Sequence, residues 1–590
     1  RVAGGYQMTA NRLLLDASLP PLEQVNGKLE FTENGVNVPA ATATFFGGPL
    51  AISGNTQRDG TIRMNLQGRI NPDAVRGAGG PAWLSHVRGV ADWTGALTVR
   101  KKNVDLVLES TLQGLASNLP VPFAKAAAET LPLRFERRFV SSTRDQLALS
   151  VGDIVSARLI RHVEGKRTII DRGTVRLGGG AAAEPERDGV FVSGNLKSVN
   201  LDAWLAFAGS GRSAASGGTD TSDVGYTLAG LDLKLGELEV YDRKFGELMI
   251  YATPAGADTM RYRLVGRDIE GIADWNPQGR GRLVAQLQKL TIPFATQPGT
   301  SIVPREKRAS AETAQLPALD IVADHFQMGA KPLGKLELKA TQQERDWRID
   351  KLTLTHADGT LSADGVWQSW LSSPRTQVNV KWTVLDAGST LARLGYPGSV
   401  RDGIAEIGGT LAWDGGPHQI DYASLSGKFA FRAAKGQFRQ MEPGLGKLLG
   451  IISLQSLPRR LSLDFRDVFS RGFAFDEILG ELKVERGIAV TDKFLITGPA
   501  AKVLMSGSVD LARETQNLQV KVSPHVSDGV AIATGLLGGP IAALAAFVAQ
   551  KLLKDPFDNL ISYRYAVTGS WADPIVTRTD TPAAQATNND

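Results

Sequence analysis

The 590-residue sequence has no cysteine. This removes disulfide frameworks, thiolate metal sites and cysteine nucleophiles together, and a cysteine-free chain is at ease in an oxidising compartment without being assigned to one. There is no run of eighteen or more apolar residues and no secretory leader, so no stretch reads as a membrane-spanning helix. An excess of charge of one sign is also missing. Sixty-six Lys and Arg face 61 Asp and Glu, a net charge of +5, and the two signs are interleaved, so a nucleic-acid footprint is not expected. The histidines, His86, His162, His325, His356, His418 and His525, show no zinc spacing and no i, i+4 pair. No G-x-S-x-G elbow or Walker loop occurs, and Gly178-Gly-Gly180 runs into an Ala and Pro-Glu stretch rather than a helix start. We therefore expect no catalytic residues, no metal and no cofactor.

Glycine, by contrast, is abundant, at 64 residues. Much of it belongs to one short pattern: glycine, any residue, apolar, polar or small, apolar. The pattern reads Gly27-Lys-Leu-Glu-Phe31, Gly95-Ala-Leu-Thr-Val99, Gly236-Glu-Leu-Glu-Val240 and Gly246-Glu-Leu-Met-Ile250. It returns as Gly334-Lys-Leu-Glu-Leu338, Gly409-Thr-Leu-Ala-Trp413, Gly427-Lys-Phe-Ala-Phe431 and Gly480-Glu-Leu-Lys-Val484. Each copy reads as a strand entered from a glycine turn, and eight copies imply a repeated unit. From Gly27 the next strands fall at Gly35–Val38, up to Gly54, and at Ile62–Leu66. From Gly480 they fall at Gly487–Val490, Met505–Gly507 and Leu518–Val522, and the Gly334 copy follows more loosely. The unit is a meander of about four strands over roughly 45 residues, with short connections that favour antiparallel neighbours.

Helical signals are short: residues 81–88, residues 200–207 with Asn200 as cap, and residues 386–394 ending at Gly395. Gly, Ser, Thr and Asp crowd 208–223, and Pro, Ser, Thr and charge crowd 296–316; both read as linkers or long loops. This divides the chain into β segments at 1–207, 224–295 and 317–529, the last with an apolar helical insert at 441–457. An apolar helical hairpin follows at 530–556, broken at Gly538-Gly-Pro540, then a terminal strand at 557–577 and a disordered tail at 578–590. The second helix of the hairpin, roughly 20 Å long, is too short to span a bilayer. Its cover is either the protein's own sheet or a membrane interface.

The fold expected is mainly β: a long, twisted antiparallel sheet of meander units curled into an elongated hydrophobic groove. About 35–40 strands at ~4.8 Å each would form a sheet roughly 170–190 Å long. Too few helices exist to cover its oily face, which must curl, pair with a second sheet or hold something apolar. A trough of aliphatic side chains accepts acyl chains and leaves head groups in water. Alternation nominates as lining Leu29, Phe31, Ile62, Met64 and Leu66 near the start. Later it nominates Leu461, Leu463, Phe465, Phe473, Phe475, Leu482, Val484, Ile488, Val490, Val503, Met505, Val509, Leu518, Val520 and Val522. Leu536, Leu537, Ile541, Leu544, Phe547, Val548 and Leu552 are candidates for a membrane or groove-end contact. A structural scaffold with a sealed β core is the competing reading, and an enzyme a third.

The stretch Leu445-Gly-Lys-Leu-Leu-Gly-Ile-Ile-Ser-Leu-Gln-Ser-Leu-Pro458, continuing through Arg459-Arg-Leu-Ser-Leu-Asp-Phe-Arg466 to Gly472-Phe-Ala-Phe-Asp476, resembles the C-terminal region of the YhdP branch of the AsmA-like proteins. So do Gly498-Pro-Ala-Ala-Lys502, Gly507-Ser-Val-Asp-Leu-Ala-Arg-Glu-Thr-Gln516, Leu536-Leu-Gly-Gly-Pro540 and Leu552-Leu-Lys-Asp-Pro556. The resemblance implies an envelope protein of Gram-negative bacteria that forms a repeating β-groove. Such a protein carries phospholipid through the periplasm and sustains the outer-membrane permeability barrier. It implies an inner-membrane anchor preceding these residues, contact with the outer membrane or its proteins near the C-terminal end, and no catalytic motif. Arg1 in the place of an initiator methionine fits a fragment or processed form.

Overall fold

The computed structural model describes residues 3–14, 21–77, 81–100, 103–141, 143–164, 167–214, 224–294, 316–418, 420–439, 473–524 and 562–579. Strands account for 69% of the structure and helices for 6%, so helices cannot shield the sheet faces. The chain divides into two compact units, Arg1–Asp274 and Trp275–Asp590.

In the first unit, consecutive strands pair antiparallel from Ala3–Leu13 through Leu22–Thr32, Gly35–Phe45, Gly48–Thr56, Ile62–Ile70, Ala91–Arg100 and Asn103–Ser110. The run continues through Leu133–Ser141, Arg144–Val151, Val155–Glu164 and Arg167–Leu177. Two parallel steps follow, to Gly189–Asn200 and then Leu228–Val240, before antiparallel pairing resumes at Leu248–Pro254 and Met260–Gly266.

The second unit begins with one parallel pair, Arg282–Ile292 with Ala318–Met328. An antiparallel meander then runs through Lys331–Gln343, Asp346–His356, Gly359–Gln368, Arg375–Val384, Val400–Asp414 and Ser426–Phe438. It ends with Phe473–Glu485, Ile488–Thr497, Ala501–Asp510, Thr515–Pro524, Tyr563–Ser570 and Pro574–Arg578. Among the described residues, Ala3–Leu13 pairs only with Leu22–Thr32 and Pro574–Arg578 only with Tyr563–Ser570, so neither sheet closes on itself.

The sheet is therefore mixed rather than wholly antiparallel. Parallel neighbours need a long return path, and two of the parallel steps have one. Residues 201–227 lie between Gly189–Asn200 and Leu228–Val240, and residues 293–317 between Arg282–Ile292 and Ala318–Met328. The two stretches that read as linkers fall inside these connections.

The pentad glycines also differ from expectation, because several lie inside strands rather than at turns. Gly480 sits opposite Phe494 in register, and a Cβ there would come within 2.2 Å of the Phe494 ring. Gly68 faces Trp93 in the same way, at 2.6 Å. A missing side chain on one strand makes room for an aromatic on the next.

The helices follow their sequence signals. Asn200 Oδ1 accepts the Ala203 N–H at 2.8 Å at the start of Leu201–Ala214. Asp386 accepts from Ser389 N at 2.9 Å to begin Ala387–Arg393, which stops before Gly395 at φ +100°. That short helix is tied to its sheet. Arg393 Nε and Nη2 donate to the two carboxylate oxygens of buried Asp358 at 2.9 and 2.8 Å, and Nη1 donates to Pro332 O at 2.8 Å.

Candidate lipid-facing surface

Because successive side chains alternate and opposite residues share a face, the strand register extends one face across many strands. In the first unit a single row runs Leu66, Gly95, Leu108, Phe135, Leu149, Ala157, Val175, Val192, Leu231, Ala252. The adjoining row carries Met64, Leu97, Leu106, Arg137, Leu147 and Leu159. Ten strands thus present aliphatic and aromatic groups to one side. Most of these side chains are half-buried rather than sealed.

The opposite face is polar and ion-paired. Arg134 pairs with Glu109 and with Glu136, Arg138 reaches Glu136 at 3.0 Å, and Arg158 pairs with Glu184. The hydrogen bond from Arg134, opposed by burial and aided by the charges of Arg134 and Arg138, holds the Glu136 carboxyl below its ordinary range. A cleft of about 480 Å³ lies here, lined by Arg134, Glu136, Arg138, Arg158 and Glu184. Its charged groups are matched to one another, and no histidine or Ser–His pair lines it. Among the described residues, no three His, Asp or Glu side chains converge as a metal site.

The nominated residues of the first unit gather on the apolar side in part. Leu29, Met64 and Leu66 pack against the cluster of Met8, Val25, Val38, Leu50 and Trp93. Ile62 is half-buried opposite Val99, whereas Phe31 is exposed near its strand end.

In the second unit the face is packed. Ile478, Ile496, Val503 and Val522 form one row, and Phe494, Met505, Val520 and Tyr565 another. Val484, Val509 and Leu518 are buried, Leu482 and Met505 half-buried. Val520 is 3% exposed and Val522 1%, within one cluster that includes Trp347, Trp413 and Trp571.

Phe473 and Phe475 are buried too, with Phe475 5.0 Å from Phe438 ring to ring. However, the buried positions are odd-numbered at Phe473 and Phe475 and even-numbered at Ile478 and Val484. One uninterrupted alternation does not carry the whole strand.

Ile488 and Val490 do not join this face. They lie opposite Glu485 and Lys483, at 43% and 40% exposure, and Ala489 and Thr491 point inward instead. Register overrides side-chain size here. Leu461, Leu463 and Phe465, the helical insert at 441–457, and all seven candidates from Leu536 to Leu552 lie outside the described residues.

The sequence reading missed the middle of the first unit, Leu97 to Leu159, although Gly95–Val99 was one of its own pentads. Arg137 in Leu133-Arg-Phe-Glu-Arg-Arg-Phe139 hides the alternation of Leu133, Phe135 and Phe139.

The YhdP protein family model matches residues 1–576. The chain is 25% identical over 594 residues to the intermembrane phospholipid transporter YhdP of Escherichia coli (strain K12), covering 97% of this chain and 45% of that protein. It thus spans about half the length of that relative. No solved structure matches it.

Proposed function

The chain belongs to the YhdP family, and on that premise we propose that it carries phospholipid between the membranes of the cell envelope without catalysing a reaction. Acyl chains lie against the apolar face of Arg1–Asp274 and head groups stay at its watery rim. The supporting observation is the ten-strand row from Leu66 to Ala252, apolar throughout and half-buried at every position but Ala252. A mobile apolar cargo needs continuity of such lining and no reactive group. The name of the E. coli relative points the same way. The periplasm, with membranes at either end, is the setting this reading requires.

The test places photo-crosslinking side chains at Met64, Leu66 and Phe135, and at Arg63, Gln67 and Arg134 on the other face. With phosphatidylethanolamine and phosphatidylglycerol vesicles, only the first set should capture lipid. Equal capture by both sets rejects the assignment.

For Trp275–Asp590 a second reading has support: Val520 and Val522 are as inaccessible as core residues. In that unit the apolar face acts as a sealed β scaffold. Its test is the absence of lipid capture from Met505.

A further inference from the structure

The two edges of the first unit's sheet differ. At one edge each strand turns directly into the next. Thr32 lies opposite Gly35, Thr56 opposite Ile62, Arg100 opposite Asn103, Ser141 opposite Arg144 and Glu164 opposite Arg167. At the other edge two long excursions leave the sheet. Residues 71–90 join Ile62–Ile70 to Ala91–Arg100, and residues 111–132 join Asn103–Ser110 to Leu133–Ser141.

The excursions form one wall. Val87–Gly89 pairs with Leu115–Ser117, and the Asn118 N–H donates to His86 O at 2.9 Å. Lys125, 8% exposed, donates through Nζ to Leu115 O at 2.9 Å and to Ala126 O at 3.0 Å, which ties the second excursion together. The helix Leu201–Ala214 leaves Gly189–Asn200 at the same edge. Trp204 Nε1 donates to Val121 O at 3.3 Å, and the Trp204 and Phe207 rings meet Phe123 and His86 edge to face. Val87, Ala91 and Leu115 are buried together against Ile70 and Leu112. Ile70 belongs to the apolar face, in step with Leu66.

Exposure along that face follows the difference. Ala91 and Trp93, beside the wall, are 2% and 8% exposed. Phe31, Val104 and Val163 lie beside the hairpins, in step with Leu29, Leu106 and Leu159 on the same face, and are 40%, 40% and 47% exposed. Asp145, one residue inside a hairpin-edge strand end, also enters this face, where it accepts from Arg161 at 2.6 and 3.0 Å and from Arg137 at 2.7 Å.

An amphiphile on such a face has one favoured direction. Chain ends gain most where water is excluded, and a phosphodiester avoids desolvation only at a wet edge. The strand Ile62–Ile70 has 9 residues and so rises about 30 Å from edge to edge. That accommodates one acyl layer of ~15 Å, half of a bilayer's hydrocarbon core, with the glycerol and head group beyond it.

We infer that a glycerophospholipid on the first unit lies along the strands, with its acyl-chain ends against the wall and its head group at the hairpin edge. This rests on the lipid-carrying reading and gives it a direction.

The experiment loads the full chain from vesicles of phosphatidylethanolamine and phosphatidylglycerol. The vesicles are doped with a phosphatidylcholine that carries a nitroxide either on its head group or at an acyl-chain end, and are then removed by gel filtration. The chain has no cysteine, so single replacements each take one fluorophore: Val104→Cys and Val163→Cys at the hairpin edge, Ile70→Cys and Leu112→Cys at the wall. The head-group nitroxide should quench the hairpin-edge fluorophores severalfold more than the wall fluorophores, and the chain-end nitroxide should do the reverse. Two sites at each edge cover the loss of a variant that does not fold. The opposite pattern, or equal quenching at both edges by both probes, overturns the orientation and leaves lipid carriage standing. Quenching by neither probe at any site overturns lipid carriage itself.

Discussion

The strands Ile62–Ser110 of the first unit and Ile488–Pro524 of the second carry the same two-residue alternation and come to different ends. In the first, Met64, Leu66 and Leu97 are half-buried. In the second, Val503, Val520 and Val522 are inaccessible. Full burial of an aliphatic side chain contributes ~1.5–3 kcal/mol to stability, so the second face is built to hold the fold together. The first forgoes part of that gain and keeps apolar surface available. Alternation therefore specifies which side of a strand is apolar, while accessibility depends on what the rest of the unit packs against it.

The comparison breaks most visibly at Val520. Val520→Asp should destabilise the second unit by about 3–5 kcal/mol, because an unpaired carboxylate enters a packed cluster. Urea unfolding followed by tryptophan fluorescence measures this; a cost below 1 kcal/mol would mean that the face is open after all.

A smaller effect should come with acid. Burial disfavours ionisation of Asp358, but the hydrogen bond and charge of Arg393, with His356 at 2.9 Å, outweigh it and hold the carboxyl below its ordinary value. A depressed carboxylate pKa adds stability above the unfolded value, near 4, and that contribution is lost as the pH falls through the folded one. The second unit should lose stability in this window, and Asp358→Asn should flatten that part of the profile. An unchanged profile would remove the pair from the account.

Met64→Asp should cost less, about 1–2 kcal/mol for a half-buried site, yet should abolish lipid capture at Leu66. Loss of folding on the scale of Val520→Asp would make the two units alike and favour a sealed scaffold throughout. The smallest effect belongs to Ile488→Asp, within about 0.5 kcal/mol as for other surface changes. The neighbouring Ala489→Asp should be far more damaging, and the reverse order would overturn the register in which Ile488 opposes Glu485.

Much of the fold was legible. Period-2 alternation marked the meanders after Gly27, Gly334 and Gly480, and Asn200, Asp386 and Gly395 marked helix ends. These signals are local, set by backbone sterics and by side chains a few residues apart. The errors came where distant strands decide. Ile488 and Val490 looked like lining because they are the apolar alternates of Gly487-Ile-Ala-Val490, but pairing with Glu485 and Lys483 turns them outward. The pentad glycines looked like turns, but Gly480 is needed as space for Phe494 across the sheet. Arg137, Asp145 and Arg161 lie on three different strands, so only strand pairing brings them together.

Composition and periodicity were enough to establish a cysteine-free, mainly β chain of repeated strands with one oily and one wet face. The tertiary structure alone decided which residues share that oily face, where parallel steps enter the sheet, and which stretch is packed and which accessible. The physical reason is that a strand's two faces follow from its own sequence, whereas register and burial are properties of its neighbours.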